Sequence, residues 1–399
     1  MTASPLPIIR LKPKIDPLPI RRGAPWVFAD ELVTDRRTKK LNPGDLAILE
    51  DANRLPLALV SVNLGSKIIA RVLDTDLEAV IDAAWIEARM ARALALRERV
   101  YDTPFYRLVH AEADGFPGVI IDRFGDIAVV QPNAAWADAR MDLIEAALIK
   151  ICGVTTVMKN AAGRARSLEG LDDVSMLLRG NAVEAAVPVP MNGATYMADL
   201  IGGQKTGIFF DQRPNHAFAA ALAKGGRVLD VFSHVGGFSL AALAAGATSA
   251  LAVDGSQAAL DLAEAGAAAS GFSDQFETRK GDAFKTMEAL DEAGSRFDVV
   301  VADPPAFAPG KKDLGNGLRA YSRTAMMASK LVEPGGYLVL CSCSHAADLV
   351  KFRQASLRGI SRAGRKVQIL HTGSAGIDHP THPALAESGY LKAIFLRLD

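Results

Sequence analysis

Three hydrophobic patterns succeed one another along the chain. From Ile8 to Ala70 short apolar runs recur: Ile8-Ile9, Trp26-Val27-Phe28, Leu46–Leu49, Leu57–Val60 and Ile68–Ala70. Turn residues separate them, among them Asn42-Pro43-Gly44-Asp45 and Asn63-Leu64-Gly65. Runs this short between such punctuation predict the strands of a small β-barrel. Between Leu77 and Val100 glycine and proline vanish and Ala, Leu, Glu and Arg dominate, which predicts a helix. Tyr106 to Arg179 then reads as a small α/β unit. In it Val119–Ile121 and Ile127–Val130 flank a hairpin link containing Gly125, Trp136–Cys152 has a helical period, and Thr155–Met158 is a strand candidate. Asp114–Gly118 reads as a structured turn and Ala162–Arg166 as a basic one.

From Val187 onward strand and helix signals alternate. The strand candidates are Val228–Phe232, Ala250–Val253, Gln275–Lys280, Asp298–Ala302, Gly336–Ser342, Lys366–His371 and Tyr390–Leu396. Helical stretches fall between them at Phe238–Ala245, Ser256–Ser270, Ser322–Leu331 and Ala346–Ser361. This alternation predicts an α/β fold: a doubly wound, seven-stranded Rossmann-like sheet with an antiparallel member among its last strands. The implied domains are residues 1–73, 74–186 and 187–399, an organisation that suits a chain of 399 residues.

Bulk properties narrow the function classes. No apolar run is long enough to cross a bilayer, and the N-terminus lacks a basic segment followed by an apolar one, so a cytoplasmic protein with no membrane partner is expected. Cys152, Cys341 and Cys343 make no disulfide framework, and Cys341-x-Cys343 lacks two further ligands for a metal. The formal net charge is zero, so the whole chain does not advertise nucleic-acid binding; residues 10–71, however, are locally basic, with Arg10, Arg36, Arg37, Lys39 and Lys40 among them.

The candidate chemistry lies in the last domain. Val228–Phe232, then Gly236-Gly237, then Phe238–Ala245 read as a strand, a glycine turn and a helix N-terminus. That unit brings backbone N–H groups to a ligand at the strand's carboxyl end. The fingerprint is not G-x-G-x-x-G, so a dinucleotide is not implied. Asp230, Asp254, Asp282 and Asp303 sit on or at the ends of successive strands. Any one of them reads equally as a helix cap or loop acid, but four in register can face one crevice. In Asp303-Pro304-Pro305-Ala306-Phe307 the prolines fix an extended backbone and leave carbonyls and a ring facing the crevice. Cys343 ends its strand just before the helix expected at Ala346, where a lowered thiol pKa suits a nucleophile.

Taken together, these residues resemble class I S-adenosylmethionine-dependent methyltransferases. The motifs are Lys205–Arg213, Phe232–Phe238, Val253-Asp254, Gly281–Phe284, Asp303–Phe307 and Ser342-Cys343-Ser344. More narrowly, the chain is similar to bacterial large-subunit ribosomal RNA cytosine-C5 methyltransferases that carry an N-terminal PUA domain. Pro25–Phe28 matches the PUA end, Glu112–Gly125 the middle domain, and Asp378-His379-Pro380 with Gly389–Lys392 the tail. The resemblance implies a PUA-like RNA-binding domain at 1–73, a linker helix and middle domain at 74–186, and the methyltransferase domain at 187–399.

The resemblance also implies roles for single residues. S-adenosylmethionine would be held by Lys205, Phe210, Asp211, Arg213, Asp230, Phe232, Ser233, Gly236 and Gly237. Asp254 with Gly255 and Ser256 would take its ribose, Asp282 and Ala283 its adenine, and Asp303 with Pro304 would lie beside the reacting methyl. Pro305, Phe307 and His379 would meet the substrate. Cys343 and Asp303 would carry the chemistry, methylation of C5 of a cytosine in 23S ribosomal RNA through a cysteine-linked intermediate. The RNA would be naked or part of an assembly intermediate, and a homodimer is allowed. Ala306 stands where the family often has lysine, and no second cysteine accompanies the proline motif. Two other readings stay open: methylation of a guanine nitrogen by the same fold, and a non-catalytic protein that binds RNA or the ribosome.

Overall fold

The structure is a computed structural model and describes residues 6–201 and 207–399. The chain forms two compact units. One comprises the chain up to Ala182 together with Ile377–Ser388, the other Val183–Gly376 with Gly389–Asp399.

In the first unit each of the five early apolar runs becomes a strand: β1 (Ile8–Arg10), β2 (Trp26–Phe28), β3 (Leu46–Glu50), β4 (Pro56–Val62) and β5 (Ile68–Asp74). They form one sheet in the order β1-β3-β4-β5-β2, over a core that includes Ile9, Val27, Leu49 and Val60. The following helix runs from Ala83 to Val100 rather than from Leu77, because Asp82 caps it: its side chain accepts from Trp85 N at 3.0 Å. A second sheet, β10-β9-β8-β7-β6, contains β6 (Phe105–His110), β7 (Val119–Phe124), β8 (Ile127–Pro132), β9 (Thr156–Lys159) and β10 (Met176–Arg179). Gly125, at φ +68°, turns the β7–β8 hairpin as the sequence suggests, while β6 and β10 carry no clear signal of their own. The helical stretch after Trp136 breaks at Arg140 into Ala135–Asp138 and Met141–Cys152. The basic turn at Ala162–Arg166 runs into a short helix, Arg164–Leu168, that buries Arg166 against Asp138 and Asp172.

The segment Ile377–Ser388 returns to this first unit through polar contacts. Arg97 donates to both oxygens of Asp114, at 2.6 and 2.7 Å, and to the carbonyl of Asp378 at 2.9 Å. The Arg107 backbone N–H donates to the Asp378 carboxylate at 3.1 Å, while its guanidinium makes two contacts with Asp122.

The second unit opens with a hairpin, β11 (Val187–Met191) and β12 (Ala194–Ala198), which sequence periodicity does not reveal because Pro188 and Pro190 occupy exposed positions of β11. Its main sheet holds β13 (Arg227–Val231), β14 (Ser249–Asp254), β15 (Phe276–Lys280), β16 (Phe297–Ala302), β17 (Val332–Ser342), β18 (Val367–Gly373) and β19 (Lys392–Leu398). The order is β15-β14-β13-β16-β17-β19-β18; β13 to β17 are parallel and β19 runs antiparallel to both its neighbours. This is the predicted doubly wound sheet with its late antiparallel strand. The strand order reverses between β13 and β16, and that switch opens a crevice at their carboxyl ends. Two helices differ from expectation. One runs Leu314–Lys330, not from Ser322, because Gly317 serves close packing instead of breaking the helix: a Cβ there would lie 2.7 Å from the Ala308 Cβ. The other begins at Leu349, where Asp348 caps it by accepting from Lys351 N at 2.8 Å, and not at Ala346.

Candidate functional site

The turn after β13 is built under strain. Phe232 (φ +65°) and His234 (φ +50°) take left-handed backbone conformations that non-glycine residues rarely adopt, and Gly236 follows at φ +79°. The turn is tied to β14 by Phe232 N and Ser233 N, both donating to the Val253 carbonyl at 2.9 and 3.1 Å. Gly237 is required for space, since a Cβ would meet the buried His216 ring at 2.7 Å. Beneath the turn Asp230 is fully buried, and one of its oxygens accepts from Ser239 N (3.0 Å) and Ser239 Oγ (2.7 Å). Its other oxygen and the buried Ser233 hydroxyl have no hydrogen-bond partner among the described residues. Burial pushes the Asp230 carboxyl up to about 6, against the opposing pull of the Ser239 bonds.

The other acids divide their work between loop and crevice. Asp254, half-buried at the end of β14, accepts from His234 N and Ser256 N, both at 2.9 Å. Ser256 in turn caps the helix Gln257–Ala269 through Ala259 N, and a side chain at Gly255 would meet nothing within 4 Å. Asp282 caps the helix Ala283–Glu292 by accepting from Lys285 N at 3.0 Å, and Ala283 is buried behind it. The helix-cap and crevice readings of these acids are thus compatible: each carboxylate oxygen has two lone pairs, and the loop bonds take only one on any oxygen.

Asp303 has a support that sequence reasoning missed. The Gln212 side-chain amide donates to its Oδ2 at 2.7 Å, and the Gln212 oxygen accepts from Asn215 Nδ2 at 2.6 Å. Asn215 also donates to the Ser374 carbonyl at 3.1 Å, and both amides are buried. The only sequence signal was their place in and beside the Phe210–Arg213 motif. Within that motif the Asp211 carboxylate accepts from the Tyr390 hydroxyl, and the Arg213 guanidinium lies 5.5 Å from the Phe210 ring centre. Lys205 lies outside the described residues.

Three rings from three strand ends pack together: Phe232, Phe284 and Phe307, with centroids 6.4–6.5 Å apart. Phe307 also meets Tyr321 at 5.0 Å, and the Arg323 guanidinium sits 4.7 Å over Phe284. Pro304 is buried whereas Pro305 and Ala306 are exposed.

Cys343 follows the end of β17 and is partly exposed, while Cys341 is buried, its thiol pushed well up by that burial. The residues flanking Cys343 are clamped. Ser342 Oγ donates to the Tyr321 hydroxyl at 2.8 Å, and Ser344 Oγ lies 2.6 Å from the same hydroxyl. Ser344 Oγ also accepts from Ala308 N at 2.8 Å, which ties the cysteine segment to the proline loop. His379 falls in the first unit, buried, with Nδ1 at 3.0 Å from Asp378 and its ring 4.9 Å from His110.

S-adenosylmethionine fits this crevice. The left-handed turn, the buried Asp230 and Ser233 atoms that await a partner, the half-exposed Asp254 and the aromatic wall match a ligand with hydroxyls, an amine and a flat heterocycle.

Comparison with known proteins agrees. A family profile described as S-adenosylmethionine-dependent methyltransferase matches residues 153–397, and one described as a PUA-like domain matches residues 9–75. A ribosomal RNA large subunit methyltransferase of Deinococcus radiodurans is 34% identical, covering 100% of this chain and 99% of that one. The ribosomal RNA large subunit methyltransferase I of Vibrio cholerae is 34% identical, covering 94% of this chain and 95% of that one. Among solved structures, a methyltransferase complexed with SAH superimposes with a TM-score of 0.81 at 19% identity, over 99% of this chain and 100% of that one. At that identity the likeness speaks for the fold.

Proposed function

Since this chain belongs to the S-adenosylmethionine-dependent methyltransferase family, we propose that it methylates C5 of a cytosine in large-subunit ribosomal RNA, with Cys343 as nucleophile. The observation that carries this reading is the partly exposed thiol of Cys343, held between two buried serines and tied through Ser344 to the loop that bears Asp303. Ribosomal RNA as the substrate is supported by the names of relatives similar over the full length, and by the PUA-like domain at residues 9–75.

Carbon 5 of cytosine is a weak nucleophile, and a thiolate corrects this. Cys343 Sγ adds to C6, and the electron pair of the C5–C6 double bond moves toward C5 and N3. Asp303, held on one oxygen by Gln212, would face the N3/N4 edge, where it favours protonation as charge develops. S-adenosylmethionine supplies the methyl group as an electrophile on its sulfonium. Once C5 carries the methyl, its proton leaves to a solvent base, the C6–S bond breaks with its pair returning to Cys343, and the ring is restored. The cytosine must be unstacked or unpaired for the thiol to reach it.

Replacing Cys343 with Ala is expected to lower methyl transfer about 10³-fold or more while cofactor affinity, measured by calorimetry, is kept. Unchanged activity would point instead to a nitrogen acceptor, which has its own lone pair and needs no thiol. Nucleoside mass spectrometry of ribosomal RNA from cells lacking the protein should lose 5-methylcytosine at one site.

A further inference from the structure

A cysteine thiol ordinarily ionises near pH 8.5, so a nucleophile working near pH 7 needs a local reason to lose its proton. The following helix is a poor source: it begins only at Leu349, and its cap, Asp348, is engaged with both the backbone N–H and the ammonium of Lys351. Among the groups that face Cys343 electrostatically are three from the elements around it. Tyr321 reaches it from the helix Leu314–Lys330, Lys392 from the start of β19, and Cys341, which Asp303 also faces, from β17 itself. Tyr321 and Cys341 are both pushed up by burial and stay neutral. Lys392 is the cation among them.

Its placement follows from the sheet. The antiparallel β17–β19 ladder sets Lys392 opposite Ser342, the residue before Cys343. From there the ammonium donates at 2.7 Å to the carbonyl of Ser344, the residue after it. Lys392 is only 8% exposed, and among the described residues no carboxylate pairs with it. A buried ammonium usually meets a carboxylate or loses its proton. This one meets the peptide carbonyl of the residue that follows a thiol. Burial lowers its pKa, while Cys343 and Asp348 pull the other way.

We propose that Lys392 is a positioning residue that holds Cys343 as a thiolate and aims it through the Ser344 carbonyl. The proposal deepens the reading of Cys343 as the nucleophile and rests on it for its catalytic purpose, but the charge coupling is measurable without methyl transfer. The test is the pH dependence of iodoacetamide alkylation at Cys343, followed by peptide mass spectrometry on the full-length protein. Wild type is expected to show a midpoint below that of an ordinary thiol. Lys392→Gln keeps a hydrogen-bond donor but loses the charge, and should move the midpoint up by about one pH unit, a roughly tenfold slower reaction near pH 7. Its kcat should fall alongside, with cofactor affinity kept. Coincident midpoints for wild type and K392Q would overturn the proposal. So would a wild-type midpoint at or above that of an ordinary thiol, a measurement that needs no variant to fold. If Cys343→Ala methylates normally while the K392Q shift stands, the nucleophile reading fails and the coupling survives.

Discussion

In the N-terminal unit the buried Arg97 and Arg166 and the partly buried Arg107 each meet carboxylates at two points: Arg97 on Asp114, Arg107 on Asp122, and Arg166 on Asp138 and Asp172. The methyltransferase unit treats buried polar groups differently. Asp230 spends one oxygen on Ser239 and leaves the other without a partner among the described residues, Lys392 has a carbonyl in place of a carboxylate, and Asp303 is steadied by an amide. Closed ion pairs make architecture, because desolvation is offset inside the protein. Asp230, one partner short among the described residues, marks where a ligand completes the set.

The contrast can be broken most forcefully at Arg97. Arg97→Met strands Asp114 in the interior and should cost about 3–5 kcal/mol. Trp26, Trp85 and Trp136 all lie in the N-terminal unit, so urea unfolding followed by tryptophan fluorescence reads that unit alone. A loss below about 1 kcal/mol would mean the pairs are ornamental. Next comes Asp230. Its folded carboxyl titrates near 6 against an ordinary 3.8, so the folded state binds more protons in that window. The stability this group contributes is therefore present below about pH 4 and lost as pH rises through about 6, on the order of 3 kcal/mol at most. Asp230→Asn should flatten that slope in thermal unfolding of the cofactor-free protein; an unaltered slope assigns the pH dependence elsewhere. The smallest effect is expected at Gln212. Gln212→Leu removes one hydrogen bond that orients Asp303 and should lower kcat about 10- to 100-fold, roughly 1.4–2.7 kcal/mol, at unchanged cofactor affinity. An unaffected kcat would leave the amide relay a packing feature.

Much of this is legible in the sequence. The five early strands, the seven-stranded sheet and its antiparallel member follow from apolar runs and their punctuation, because alternation and strand length are local properties. The glycine turn and the Asp-Pro-Pro loop were legible for the same reason: their backbone demands are written in Gly and Pro. The structure corrected readings in which one residue type serves two ends. The helix expected from Ser322 begins at Leu314, with Gly317 a close-packing residue inside it, and a hairpin strand that the apolar runs did not mark carries Pro188 and Pro190 on its exposed side. Asp82 and Asp348 placed helix starts several residues later than apolar period alone suggested.

What the sequence by itself determined was the set of reagents: a glycine turn between a strand and a helix, acids at strand ends and one thiol at the end of a strand. Only the tertiary structure decided which groups stand behind them. Gln212 and Asp303 are 91 residues apart, and Lys392 reaches the Ser344 carbonyl across 48. Such pairings are created by strand order and ladder register, which bring distant segments together without leaving any periodicity in either. The same holds for Asp378 and His379, whose motif lies close to the methyltransferase tail in sequence but packs into the N-terminal unit through Arg97 and Arg107. Local sequence specifies the conformation of each segment, but the partner of a buried charge is set by whichever segment the folded sheet places across from it.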